Sequence, residues 1–165
     1  MRVLENEDQF IKGAWAGLIA GIVMFIFVEI FRWVGITKYG VSYLAGDTAF
    51  TYENNLVMNL LALVIHSGVG VFWGIVLAFI FTKVLSSDYY LVKIIFISFC
   101  IFFFHLGFLD EPFHYKREIH EQTTDLLIIL CGYIIYGIIT AVIMKKQKLI
   151  RCRGWGNRDM QSKKE

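Results

Sequence analysis

Leu126–Met144 reads LLIILCGYIIYGIITAVIM, nineteen consecutive residues without a charged side chain. Hydrocarbon about 30 Å thick is crossed by roughly 20 helical residues rising 1.5 Å each. Within that layer the backbone has no water to bond to, so a segment of this length satisfies its own amides as a helix. A barrel strand would be about half as long and would alternate in polarity. This run is continuous. Asp125 stands at its start and Lys145-Lys146 at its end, so its limits are marked by charge. The same reading applied outward from it predicts spans at about 11–34, 56–82, 91–109 and 124–144, an all-α four-helix transmembrane bundle.

Composition agrees. Hydrophobic residues make up 57% of the 165 and charged residues 18%, with a mean hydropathy of +0.59. Soluble domains carry about 25% charged residues, and a domain this small leaves most side chains in contact with solvent. A bilayer removes that conflict. In the first span Trp15 and Trp33 lie 18 residues apart, about 27 Å along a helix, which suits tryptophan at the two interfaces. The run is too long for a signal peptide, and no small-residue cleavage site follows Arg32 and Trp33 closely.

The net charge of +2 hides an asymmetry. Residues 145–165 carry eight basic and two acidic side chains, a net of +6, which leaves −4 for residues 1–144. The chain therefore divides into a membrane domain, 1–144, and a basic tail, 145–165. Lys145, Lys146, Lys148, Arg151 and Arg153 follow the last span directly, and such clusters stay on the cytoplasmic side and face anionic lipid. Four spans then return the N-terminus to the same side. The lipid bilayer is the first partner this implies. Nothing in the pattern of basic and aromatic residues suggests nucleic acid.

In lipid, helices associate by close packing and by interhelical hydrogen bonds, so small residues mark contact faces. Gly13, Gly17 and Gly21 form a doubled GxxxG stripe on the first span, and Gly70 and Gly74 repeat it on the second. They predict close packing within the chain or against a membrane-protein partner, including a second copy. Each span also has a polar or small stripe: Asn59, His66, Gly70 and Gly74 on the second, Ser98 and His105 on the third, Asp125, Gly132 and Tyr136 on the fourth. Glu29, His66, His105 and Asp125 all fall in the outer half of the membrane. Helix rise puts Glu29 and His105 roughly 6–9 Å below their outer ends, His66 about 15 Å below, and Asp125 near the surface. Ionisable groups in hydrocarbon are costly and turn towards a partner or a cavity. They read as a shared buried cluster. The opposing reading pairs Glu29 with Arg32, lets both reach outward, and makes Asp125 a cap for its own helix.

No metal-ligand, phosphate-binding, dinucleotide or nucleophile motif occurs in the chain, and no cofactor is expected. His66 and His105 are the residues a metal ion would use if one bound. Asp110–Glu121, with His114, His120 and four carboxylates around Pro112, matches no ligand spacing and reads as a solvated loop. Cys100 and Cys131 fall inside spans and Cys152 in the tail, which is no disulfide framework.

The Gly-rich first span with the following Gly35-Ile-Thr37, the polar lead Glu118–Thr124, and the ending Asp125-Leu-Leu-Ile-Ile-Leu-Cys-Gly-Tyr-Ile-Ile-Tyr-Gly137 resemble the YqhR-like small four-span membrane proteins of endospore-forming Bacillota. The resemblance implies a multi-pass protein of a bacterial cytoplasmic membrane and brings no chemistry with it. The expected role is a non-enzymatic membrane component or accessory subunit. A small transporter or channel using Glu29, His66, His105 and Asp125 is the alternative, and a membrane metalloprotein a further one. Whether those four residues converge separates them.

Overall fold

The computed structural model describes residues 2–49, 55–85, 88–108, 123–147 and 149. The regular structure among them is helical: α1 Arg2–Trp33, α2 Val41–Ala49, α3 Leu56–Phe79 with a π-helical turn Ile80–Val84 continuing it, α4 Tyr90–Phe108, and α5 Thr123–Lys146. Asp8–Trp33, Leu56–Val84 and Thr123–Lys146 are long and apolar enough to cross a membrane, and α4 is a shorter apolar helix. The protein is thus an all-α bundle built for hydrocarbon. Between the first two predicted spans lies the short helix α2.

The surface shows why this sequence needs lipid. Trp15, Ile19, Val23, Ile26 and Ile30 form an exposed stripe along α1. Spaced at three and four residues, they occupy the face that a soluble helix fills with charge. The opposite face, with Ala16, Ala20, Met24 and Val28, is buried.

The four long helices run up and down. At one end the Thr82 hydroxyl donates to the Ala78 carbonyl at 2.8 Å and lies 3.1 Å from Gln9 Oε1, joining the end of α3 to the start of α1. At that same end Lys145 Nζ sits 5.4 Å above the Tyr90 ring, joining α5 to α4. At the other end Arg32 Nη2 donates to Asn59 Oδ1 at 3.3 Å, and Asn55 caps α3 by accepting from the Met58 amide at 2.9 Å. α1 turns out of its helix through Gly35 at φ +77. There Gly35 N–H bonds the Arg32 carbonyl and Ile36 N–H the Phe31 carbonyl, the paired bonds of a Schellman end whose left-handed residue favours glycine.

The glycines set the helix spacings. A Cβ built on Gly17 would lie 2.9 Å from Gly74 Cα, one on Gly74 2.6 Å from Gly17 Cα, and one on Gly13 2.7 Å from Ala78 Cβ. The stripes of α1 and α3 therefore press backbone on backbone inside a single chain. Gly21 differs, since its Cβ would meet Gly70 Cα at an ordinary 3.5 Å. Of the five glycines read as packing residues, four require glycine and Gly21 does not. α5 joins through Gly132 against Met24 and Val28, and α4 meets α5 where Gly137 faces Ser98. The Tyr136 hydroxyl crosses to α3 and donates to the Gly70 carbonyl at 2.8 Å. Tyr136→Phe removes that bond alone and is expected to cost about 1 kcal/mol, read by detergent-titration unfolding.

These approaches leave one side of the bundle different. α1 packs closely on α3 and α5, and α5 on α4, whereas the α3 and α4 backbones scarcely approach each other. That side is bridged by side chains.

Candidate functional site: a roofed cavity between two histidines

The two buried carboxylates both serve the segment that leads into α2. Glu29 is 1% exposed. Its Oε1 accepts the Ser42 amide at 2.8 Å and its Oε2 accepts Arg32 Nε at 2.6 Å. Ser42 lies in the first turn of α2, where amides have no partner in their own helix, so the carboxylate both satisfies a donor and faces the positive end of the helix. Asp125, also 1% exposed, accepts the Tyr39 amide at 3.0 Å and the Lys38 amide at 3.3 Å. Gly40 lies between them. A Cβ there would stand 2.9 Å from the Glu29 carboxyl carbon. The Glu29–Arg32 pair expected from the sequence is present, but Glu29 is turned inward to α2 and does not reach outward. Asp125, in the first turn of α5, is covered by segment 38–42, and its oxygens go to that segment's amides. Two carboxylates from α1 and α5 thus fasten α2 across the bundle, against α3.

Under α2 lies a cavity of about 120 Å³. Val41, Leu44 and Ala45 of α2 roof it, Met24 and Ile129 wall it, and His66 of α3, His105 of α4 and Tyr133 of α5 are its polar residues. A smaller void of about 20 Å³ continues from it behind Trp73, sharing Met24, His66, Val69, His105 and Tyr133.

Hydrogen bonding fixes the state of His105. Trp73 Nε1, which can only donate, is 3.1 Å from His105 Nε2, so that nitrogen carries a lone pair. The proton is then on Nδ1, which donates to the Tyr133 hydroxyl at 2.5 Å. Both ring nitrogens are occupied. His66 is different: its buried Nε2 has no partner among the described residues.

The four ionisable residues therefore form two pairs. The histidines meet at the cavity, and the carboxylates hold its roof. Among the described residues no three His, Cys, Asp or Glu side chains gather as metal ligands, and of the two histidines only His66 has an uncommitted nitrogen. Asp110–Glu121 and the tail residues Lys148, Arg151, Cys152 and Arg153 lie outside the described residues. Lys145 and Lys146 are exposed at the end of α5.

Sequence reasoning missed Trp73 and Tyr133. Trp73 carried a signal, because it sits well inside a span rather than at an interface, where a buried indole needs an acceptor. The fold and this site define a helical membrane protein with a partly open cavity beneath α2. No family model, curated protein or solved structure matches the chain.

Proposed function

We propose that the protein is a non-enzymatic component of a bacterial cytoplasmic membrane, an accessory protein that holds a small molecule in the cavity beneath α2. The observation that carries this reading is the convergence of His66 and His105 on an otherwise apolar void that α2 roofs. The void is about half open to its surroundings. Its size is comparable to the roughly 150 Å³ apolar cavity that admits benzene. Against a transporter path through all four residues stands the use of Glu29 and Asp125 on backbone amides. Against a two-histidine metal site stands the occupation of both His105 nitrogens. The glycine stripes, packed on each other within one chain, offer little to an outside partner.

Toluene is a suitable first probe, because it needs only space. Purified protein in nanodiscs is expected to gain thermal stability with rising toluene, and Ala45→Phe or Leu106→Trp, which fill the void, are expected to abolish the gain. An equal gain in all three proteins would show that toluene acts elsewhere and would sink the reading.

The proposal includes the topology. The basic tail faces the cytoplasm and α4 crosses with the other three helices, so α2 roofs the cavity on the outer side. A membrane-impermeant maleimide is expected to label Cys152 in inverted vesicles and not in intact cells, Cys100 and Cys131 being inside apolar helices. Labelling in intact cells would reverse the orientation. Membership of the YqhR-like group belongs to the same proposal and rests on the quoted stretches around Gly35 and Asp125–Gly137.

A further inference from the structure

We infer that the cavity takes the end of a phospholipid acyl chain from the leaflet on the α2 side, which enters from the bilayer through a mouth between α3 and α4. The inference names the class of occupant and rests on the ligand-binding reading above.

Exposure locates the mouth. Met24 and Ile129, the walls that α1 and α5 supply, are each 2% exposed. Val69 of α3 is 37% exposed, and Ile65 of α3, Leu106 of α4 and Ala45 of α2 are partly exposed. The open side is therefore that of α3 and α4, beneath α2, where the two long helices scarcely approach each other. Along α3 the mouth runs into exposed Val64 and Phe72. It is continuous with the apolar face that the bilayer covers.

The lining suits hydrocarbon. His105 and Tyr133 bond each other, and the second His105 nitrogen is taken by Trp73. His66 Nε2 is buried out of reach of a ligand, and the rest of the lining is apolar. A charged headgroup would find no counter-ion among these residues, so it stays outside. Depth agrees with a chain end. Val69 lies midway along the 29 apolar residues Leu56–Val84. Each leaflet fills half of a hydrocarbon core about 30 Å thick, so its chains end near that level. Beyond Val69 the cavity narrows to the void of about 20 Å³, which has room for a methyl end and none for a ring. Supply decides between a chain and a free solute. Acyl chains are the solvent at the mouth, and occupancy follows concentration measured against affinity.

Two phosphatidylcholines test this on the full chain in nanodiscs, one with a diazirine at the last carbon of a chain and one with it beside the ester. After illumination, the labelled residues are mapped by mass spectrometry. The chain-end probe is expected to label Met24 and Ile129, which lipid at the surface cannot touch, as well as exposed Val64 and Phe72. The ester-side probe is expected to label neither wall residue. Ala45→Phe and Leu106→Trp are expected to abolish labelling of the walls and to leave Val64 and Phe72 labelled as before. Saturating toluene is expected to do the same in the unaltered protein. Chain-end label confined to exposed residues, or equal labelling of the walls by both lipids, would overturn the inference. Thermal stability with toluene in the same nanodiscs separates the two readings. A gain without wall label would leave the cavity reading intact, and the absence of both would remove that reading too.

Discussion

Gly17→Ala is expected to destabilise the bundle by about 3 kcal/mol or more, a large effect for one methyl group. Overpacking in a dense core costs about 1–3 kcal/mol, and the upper end applies where nothing flexible can yield. The new Cβ would stand 2.9 Å from Gly74 Cα and still closer to the Gly70 carbonyl. The obstacles are backbone, so α1 and α3 would have to part. Gly74→Ala meets the same wall from the other side. Two substitutions serve as controls. Gly21→Ala places its methyl at an ordinary 3.5 Å, and Gly68→Ala meets nothing within 4 Å. Both are expected to be neutral or to stabilise by up to about 1 kcal/mol, as alanine generally does over glycine in a helix. Unfolding by detergent titration distinguishes the two sets. Equal losses at Gly17 and Gly68 would mean that α1 and α3 are not packed through this stripe.

Glu29→Leu is expected to cost about 3–5 kcal/mol, the range found when one partner of a buried ion pair is removed. Both side chains are withdrawn from solvent, at 2% and 12% exposure for Glu29 and Arg32, so screening does not reduce the figure to that of a surface pair. Two groups lose their acceptor: the Arg32 guanidinium and the Ser42 amide. Glu29→Gln keeps an acceptor for Ser42 and gives up the charge opposite Arg32, so its cost is expected to fall between. Adding Arg32→Leu to Glu29→Leu should recover part of the loss, since the buried cation that faced Glu29 is gone. The cavity supplies a second measurement. With α2 unfastened at its first turn the roof is lost, and toluene is expected to bind more weakly in Glu29→Leu than in Tyr136→Phe. A Glu29→Leu protein as stable as the parent would show that α2 is held by its apolar contacts alone.

The polar residues illustrate what a sequence can and cannot convey. Periodicity correctly put Gly70 and Gly74 on one face, and Asp125, Gly132 and Tyr136 on another; all five are buried. It also marked Glu29, His66, His105 and Asp125 as residues that lipid does not tolerate. It could not tell which of them meet, because the decisive partners of the carboxylates are peptide N–H groups. Every residue except proline carries one, so Ser42 and Tyr39 have no compositional mark. The bond from Tyr39 to Asp125 spans 86 residues of chain. Nothing local in either segment announces it.

The sequence by itself determined the solvent and the helices. Apolar runs long enough to cross hydrocarbon leave the backbone no other way to satisfy its amides, and that constraint acts on each segment separately. It also determined where backbones could touch, because only glycine permits that distance. Tertiary structure alone decided that the histidines share a void, that the carboxylates hold its roof, and that Trp73 stands in the one loosely packed side. Those outcomes depend on the rotation of each helix about its axis and on where residues 35–49 fold back, quantities set by many weak contacts acting together across the bundle.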